Sequence, residues 1–111
     1  RHRTPCPVSG SRLLTRIVHL QVALPHRAEF EAYVAQKIRL VAEQDGCLSV
    51  QWLRAQDGSY FTYSQWENED FLEGYRQSAT FAEIWATLKA WFDAPARAWS
   101  CDLITEHPCS V

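Results

Sequence analysis

Apolar and polar residues alternate with two different periods along this chain, and the switches between them divide it into elements. From Thr15 to Ala23 the spacing is two, with β-branched residues prominent. That predicts a strand with Val18, Leu20 and Val22 on one face and Ile17, His19 and Gln21 on the other. Leu24-Pro25-His26 turns the chain. Between Arg27 and Gln44 the apolar positions Phe30, Tyr33, Val34, Ile38 and Val41 follow one helical stripe. Gly46 then suits a left-handed cap. Alternation returns over Cys47 to Ala55, with Leu48, Val50 and Trp52 on one side. Gln56-Asp57-Gly58 supplies the positive φ of a hairpin. The returning strand, Tyr60 to Trp66, is aromatic on both faces: Tyr60 and Trp66 on one, Phe61 and Tyr63 on the other. A strand apolar on both sides is expected to be buried on both.

Glu67-Asn68-Glu69-Asp70 opens a second helix with negative charge in its first turn. Phe71, Leu72 and Tyr75 form its stripe. After a break at Ser78-Ala79, Thr80-Phe81-Ala82-Glu83 reads as a capping box. It starts a third run, through Ile84, Trp85, Leu88, Trp91 and Phe92, that Pro95 ends. Ala98 to Thr105 is a last strand. The order is β-α-β-β-α-β, a ferredoxin-like α+β fold, with the domain at 15–106 and tails at 1–14 and 107–111. Helices can cover only one face of such a sheet. The other face still carries large side chains, so a homodimer packed sheet to sheet is expected.

Composition changes this picture little. The chain has 111 residues, enough for one domain, and 47% are hydrophobic. Five Trp, five Phe and four Tyr favour an aromatic-lined interior or interface. A net charge of −2 argues against nucleic acid and anionic membranes as partners. No run approaches the length of a membrane-spanning helix, and the basic N-terminus lacks the apolar core of a signal peptide. Absence of any Met suggests a trimmed start. Cys6, Cys47, Cys101 and Cys109 form no metal or redox spacing and read as free thiols in a reducing, cytoplasmic setting. A Cys6–Cys109 disulfide is the alternative.

A longer segment carries a resemblance. Gly46-Cys47-Leu48-Ser49-Val50, the hairpin, and Tyr63-Ser64-Gln65-Trp66-Glu67-Asn68-Glu69-Asp70-Phe71, followed by Ser78-Ala79-Thr80-Phe81, resemble the antibiotic biosynthesis monooxygenase family. The resemblance runs from about Thr15 to Glu106. It implies a dimeric α+β barrel with a pocket between sheet and helices in each subunit. It also implies oxidation of a small aromatic phenol, quinol or anthrone-like substrate by molecular oxygen, with no cofactor and no metal. Haem-degrading relatives place an Asn on the first strand and a His about ten residues after the Trp. Here Thr15 to Ala23 has no Asn, and Arg76 stands where the His would be.

Cofactor-free oxygenation needs an acceptor or base, a donor for the developing oxyanion, and a dry aromatic wall. Trp66 is the candidate donor on the strength of the resemblance; the alternative is a packed core indole. His19 is the candidate base, because imidazole ordinarily titrates near neutrality; an interface histidine is the alternative. Tyr75, Arg76, Phe81, Trp85 and Tyr63 are candidates for binding substrate, each with a packing or surface role as its rival. Trp52 and Tyr63 fit either the pocket or the dimer interface. The four His have no metal-ligand spacing, and no phosphate loop or nucleophile motif appears. A ligand-binding dimer without catalysis and an isomerase of a small carbonyl compound remain open.

Overall fold

Leu14–Leu20 (β1), Cys47–Arg54 (β2), Tyr60–Trp66 (β3) and Arg97–Asp102 (β4) form one antiparallel sheet in the order β2-β3-β1-β4. The computed structural model describes residues 13–107. Three α-helices, Arg27–Ala42 (α1), Glu69–Arg76 (α2) and Ala79–Lys89 (α3), complete the α+β ferredoxin-like arrangement. Pro25 sits in a single 3-10 turn, Leu24–His26, that leads into α1. No described helix is long and apolar enough to cross a membrane. The candidate Cys6–Cys109 pairing lies outside the described residues.

Register decides which side chains meet the helices. Leu14, Arg16, Val18 and Leu20 of β1 stand beside Trp66, Ser64, Thr62 and Tyr60 of β3, and all of these share one face. That face is closed by Phe30, Val34, Val41, Leu72, Ile84 and Leu88, the buried residues of the three helices. Trp66, Leu20 and Leu88 lose all solvent contact. Full burial of one such aliphatic side chain is worth about 1.5–3 kcal/mol. The opposite face carries Ile17, His19, Phe61 and Tyr63, which no described helix covers and which are only half-buried. The aromatic face of β3 expected to be buried is therefore half-open in the single chain.

Local chemistry sets the element ends. Gly58 takes φ +90° in the hairpin, where Asp57 Oδ1 accepts from the Ser59 N–H at 2.9 Å and the Ser59 hydroxyl at 2.6 Å. Gly46, at φ +80°, lies three residues beyond the α1 C-cap Glu43 rather than directly after the helix. Its carbonyl accepts from Glu67 N–H, and a Cβ there would collide with the Phe71 ring. Asn68 caps α2 through the Phe71 N–H. Ser78, not Thr80, caps α3, with its hydroxyl accepting from Phe81 N–H.

Three expected boundaries move. A bulge between Cys47 and Ser49 gives Leu48 no partner on β3, leaving it exposed and putting Cys47 with Val50 and Trp52 on the covered face. Helix α3 stops at Lys89 because the next residues pair with the chain after β1. Trp91 carbonyl accepts from Ala23 N–H, and Asp93 N–H donates to Gln21 carbonyl. β4 ends at Asp102, opposite the first residue of β1, where its ladder runs out.

Candidate active site

Between the covered face of the sheet and the helices lies a cavity of about 180 Å³. That is below the usual range for drug-sized ligands, so it suits a molecule of one or two rings. Strand residues Arg16, Val18, Val50, Trp52, Thr62, Ser64 and Ala98 form one side. Val41 of α1, Leu72, Tyr75 and Arg76 of α2, and Phe81 and Trp85 of α3 form the other. The helix side is built on linked aromatic rings. Tyr75 stacks on Trp66 at 5.3 Å, meets the Phe81 ring edge-on at 5.2 Å, and Phe81 lies 5.7 Å from Trp85. Such contacts fix ring orientation as well as burying area.

Four candidates from the sequence, Tyr75, Arg76, Phe81 and Trp85, come together on this wall. Three others stand elsewhere. His19 and Tyr63 belong to the open face, where the His19 ring packs 4.9 Å from Phe61. A one-residue difference in strand parity separates them from the cavity, since neighbours on a strand point to opposite faces. Trp66 is fully buried one layer behind the cavity, and its indole N–H donates to the Ser64 hydroxyl at 3.0 Å. It orders Tyr75 and Ser64 rather than presenting a donor of its own.

Two further residues line the cavity: Arg16, which the sequence pattern did not single out, and Trp52, which it left to either the pocket or the interface. Arg16 projects from the covered face of β1 and donates to the Ser100 hydroxyl at 2.8 Å. Partial burial pulls its pKa below the ordinary value; neighbouring Arg76 acts in the same direction, while Glu69 and Glu73 oppose it. Its signal was its parity, since it shares the face of Val18 and Leu20. The second is Trp52, whose Nε1–H is buried with no hydrogen-bond partner among the described residues. An unmet buried donor costs about 1–3 kcal/mol. Alternation alone left Trp52 to the pocket or the interface; the fold puts it on the cavity, and only the fold shows which indoles find acceptors. Trp52 also borders a second, shallower groove lined by Phe30, Glu31 and Tyr60.

The ionisable groups on the lining are the two arginines and Tyr75. Burial pushes the Tyr75 phenol up to about 12, against an opposing hydrogen bond from Trp85. Tyr75 is thus a neutral O–H donor at physiological pH. Among the described residues no imidazole or carboxylate lines the cavity, and no three His, Cys, Asp or Glu side chains gather into a metal-binding group.

A ferredoxin-like sheet with its helices on one side, enclosing an aromatic cavity, defines a class of small α+β proteins. A model of the antibiotic biosynthesis monooxygenase family matches residues 13–87, and the chain belongs to that family. Solved structures agree. Rv0793 from Mycobacterium tuberculosis superposes with a TM-score of 0.79 at 16% identity, covering 86% of this chain and 99% of its own. A Bordetella bronchiseptica protein assigned to the antibiotic biosynthesis monooxygenases gives 0.76 at 27% identity, over 85% and 99%. One from Caulobacter crescentus, assigned likewise, gives 0.77 at 19%, over 86% and 92%. No curated protein sequence matches.

Proposed function

We propose that this protein is a cofactor-independent monooxygenase that oxidises a small electron-rich phenol or quinol with molecular oxygen, working as a homodimer. The observation that carries the reading is an aromatic cavity lined by Trp52, whose indole N–H is buried without a partner among the described residues, in a chain of this family. The reaction needs no outside reductant. A phenol gives up four electrons, taking one oxygen atom into the ring as a quinone carbonyl. The second oxygen leaves as water with the two displaced hydrogens. In this scheme Trp52 N–H and Tyr75 O–H hold the substrate oxygen and the developing peroxide, because donors in a dry site act on charge as it forms. The arginines lower the cost of ionising the phenol. Trp66 is a positioning residue acting through Tyr75. His19 takes no part at the cavity.

Sheet-to-sheet pairing of two copies rests on the open face, where Ile17, Phe61 and Tyr63 lie beside Leu53 and Trp99, both substantially exposed. A contiguous apolar patch of that kind ordinarily marks an interface.

Because no imidazole or carboxylate among the described residues lines the cavity to serve as base, a second reading is favoured by a specific observation: a dimeric ligand-binding module without turnover. Oxygen uptake by metal-stripped protein separates the two, using hydroquinone, anthrone and a polyphenol against autoxidation blanks. Uptake above the blanks, reduced at least tenfold by Trp52→Phe, is the expected result. Binding without uptake overturns the oxygenase in favour of the module.

A further inference from the structure

The charges on the cavity are all of one sign. Arg16 and Arg76 line it, and no carboxylate among the described residues does. Glu73 takes one Arg76 nitrogen at 2.9 Å on the outer side of α2, so Arg76 is partly neutralised. Arg16 has a neutral partner, the Ser100 hydroxyl, and no ion pair among the described residues. A guanidinium stays charged even where burial disfavours it, so its neighbourhood keeps a positive field. That field is set apart from the donor of the proposed chemistry. Trp52 pairs with Thr62 on β3, which pairs with Val18 on β1, so Arg16 lies two strands across and two residues along from Trp52. With strands about 4.8 Å apart, the two positions are roughly 10 Å distant or more along the sheet.

We infer that the cavity takes a hydroxylated aryl carboxylate, with Arg16, assisted by Arg76, holding the carboxylate and Trp52 holding the ring hydroxyl. The inference rests on the oxygenase reading for the hydroxyl end, but the carboxylate end stands on charge and placement alone. A simple phenol has a pKa near 10 and arrives neutral, leaving Arg16 with only the electrostatic influence of Glu69 and Glu73 and no carboxylate in direct contact among the described residues. A benzoate-type group arrives ionised and matches the planar guanidinium fork.

Isothermal titration calorimetry under anaerobic conditions near neutral pH tests this with gentisate against its uncharged counterpart gentisamide. Gentisate is expected to bind about tenfold tighter, the equivalent of one charge-assisted hydrogen bond. The preference should shrink as salt rises. Arg16→Gln should abolish it, weakening gentisate about tenfold more than gentisamide, Arg76→Gln should weaken it less, and Arg16→Lys should keep part of it. Equal binding of the two ligands, no binding of either, or a preference that survives Arg16→Gln overturns the inference. Should Arg16→Gln fail to fold, the wild-type comparison and Arg76→Gln still decide. Oxygen uptake reads the other proposal separately. A carboxylate preference without uptake sinks the oxygenase alone, and hydroquinone turnover without the preference sinks this inference alone.

Discussion

The two faces of one sheet come from the same four strands and end in opposite physical states. On the covered face, Leu14, Val18, Leu20 and Trp66 meet three helices and are buried. On the open face, their immediate chain neighbours Ile17 and His19 stand beside Phe61 and Tyr63 with no helix over them. Both faces are rich in large side chains, so hydrophobicity does not separate them. What separates them is connectivity: α1, α2 and α3 all return to one side, and no described helix covers the second. The cavity is therefore a product of imperfect helix packing on the covered face, where small strand residues such as Ala98 and Ser64 leave room.

The sharpest way to break this contrast is to remove one indole from each face. Trp66→Ala is expected to cost about 3–5 kcal/mol, the usual range for a fully buried aromatic. Trp99→Ala, on the open face and 41% exposed, should cost under about 1 kcal/mol in the monomer. Urea denaturation below the dimer dissociation range reads both. Similar losses would mean the open face is buried within the monomer after all.

Next in size is the proposed burial of the open face by a second copy. Ile17 sits at its centre, opposite Tyr63 on one side and Trp99 on the other. Ile17→Asp should weaken self-association about 100-fold or more, since a charge would be buried at the middle of the interface. Sedimentation velocity should show a folded monomer with an unchanged far-ultraviolet spectrum. A dimer that persists would place the interface elsewhere.

Trp52→Phe sharpens the contrast within the covered face itself. It removes an unmet buried donor, a gain of about 1–3 kcal/mol, and leaves a small void that costs a similar amount. Stability should change by less than about 1 kcal/mol while oxygen uptake falls tenfold. A large loss of stability would mean that the Trp52 N–H has an acceptor in the folded protein.

Parity explains how much of this was legible beforehand. Alternation and helical spacing were strong enough to place every element, because core positions such as Val18, Leu20, Phe30 and Leu72 recur at the right period. They also separated His19 from Val18. They could not say which parity faces the helices, since both faces of β1 and β3 look apolar. That choice is made by strand order and by the side to which α1 returns. Assigning His19 and Tyr63 to chemistry and overlooking Arg16 follows from that one undetermined bit. The Leu48 bulge and the Ser78 cap were missed for a different reason. Each is a local choice between near-equal alternatives, settled by hydrogen bonds to residues distant in sequence or by one turn's geometry.

The smallest expected effect tests the rim of the covered face, where burial gives way to solvent. Tyr60, buried beside Phe30, donates its phenol to Glu31 Oε2 at 2.6 Å, and Arg54 Nη1 holds the same carboxylate at 2.8 Å. Burial and the Glu31 contact raise the Tyr60 phenol from 10.0 to about 12, and the Tyr60 and Arg54 hydrogen bonds lower Glu31 below its ordinary 4.5. The two shifts act in opposite pH ranges. A raised folded pKa means that the Tyr60 contribution is whole below pH 10.0 and fades as pH climbs towards about 12. A depressed folded pKa means that the Glu31 contribution is whole above pH 4.5 and fades as pH falls through its lowered value. Wild-type stability should therefore hold a plateau between these limits and decline beyond both. Tyr60→Phe should lower the plateau by about 1 kcal/mol at most, because Glu31 lies at the solvent edge where screening discounts the pair. It should also flatten both flanks. Melting temperatures across pH would read the effect, and a variant curve that merely shifts downward, keeping its alkaline slope, would assign that slope to Tyr75 or another phenol instead.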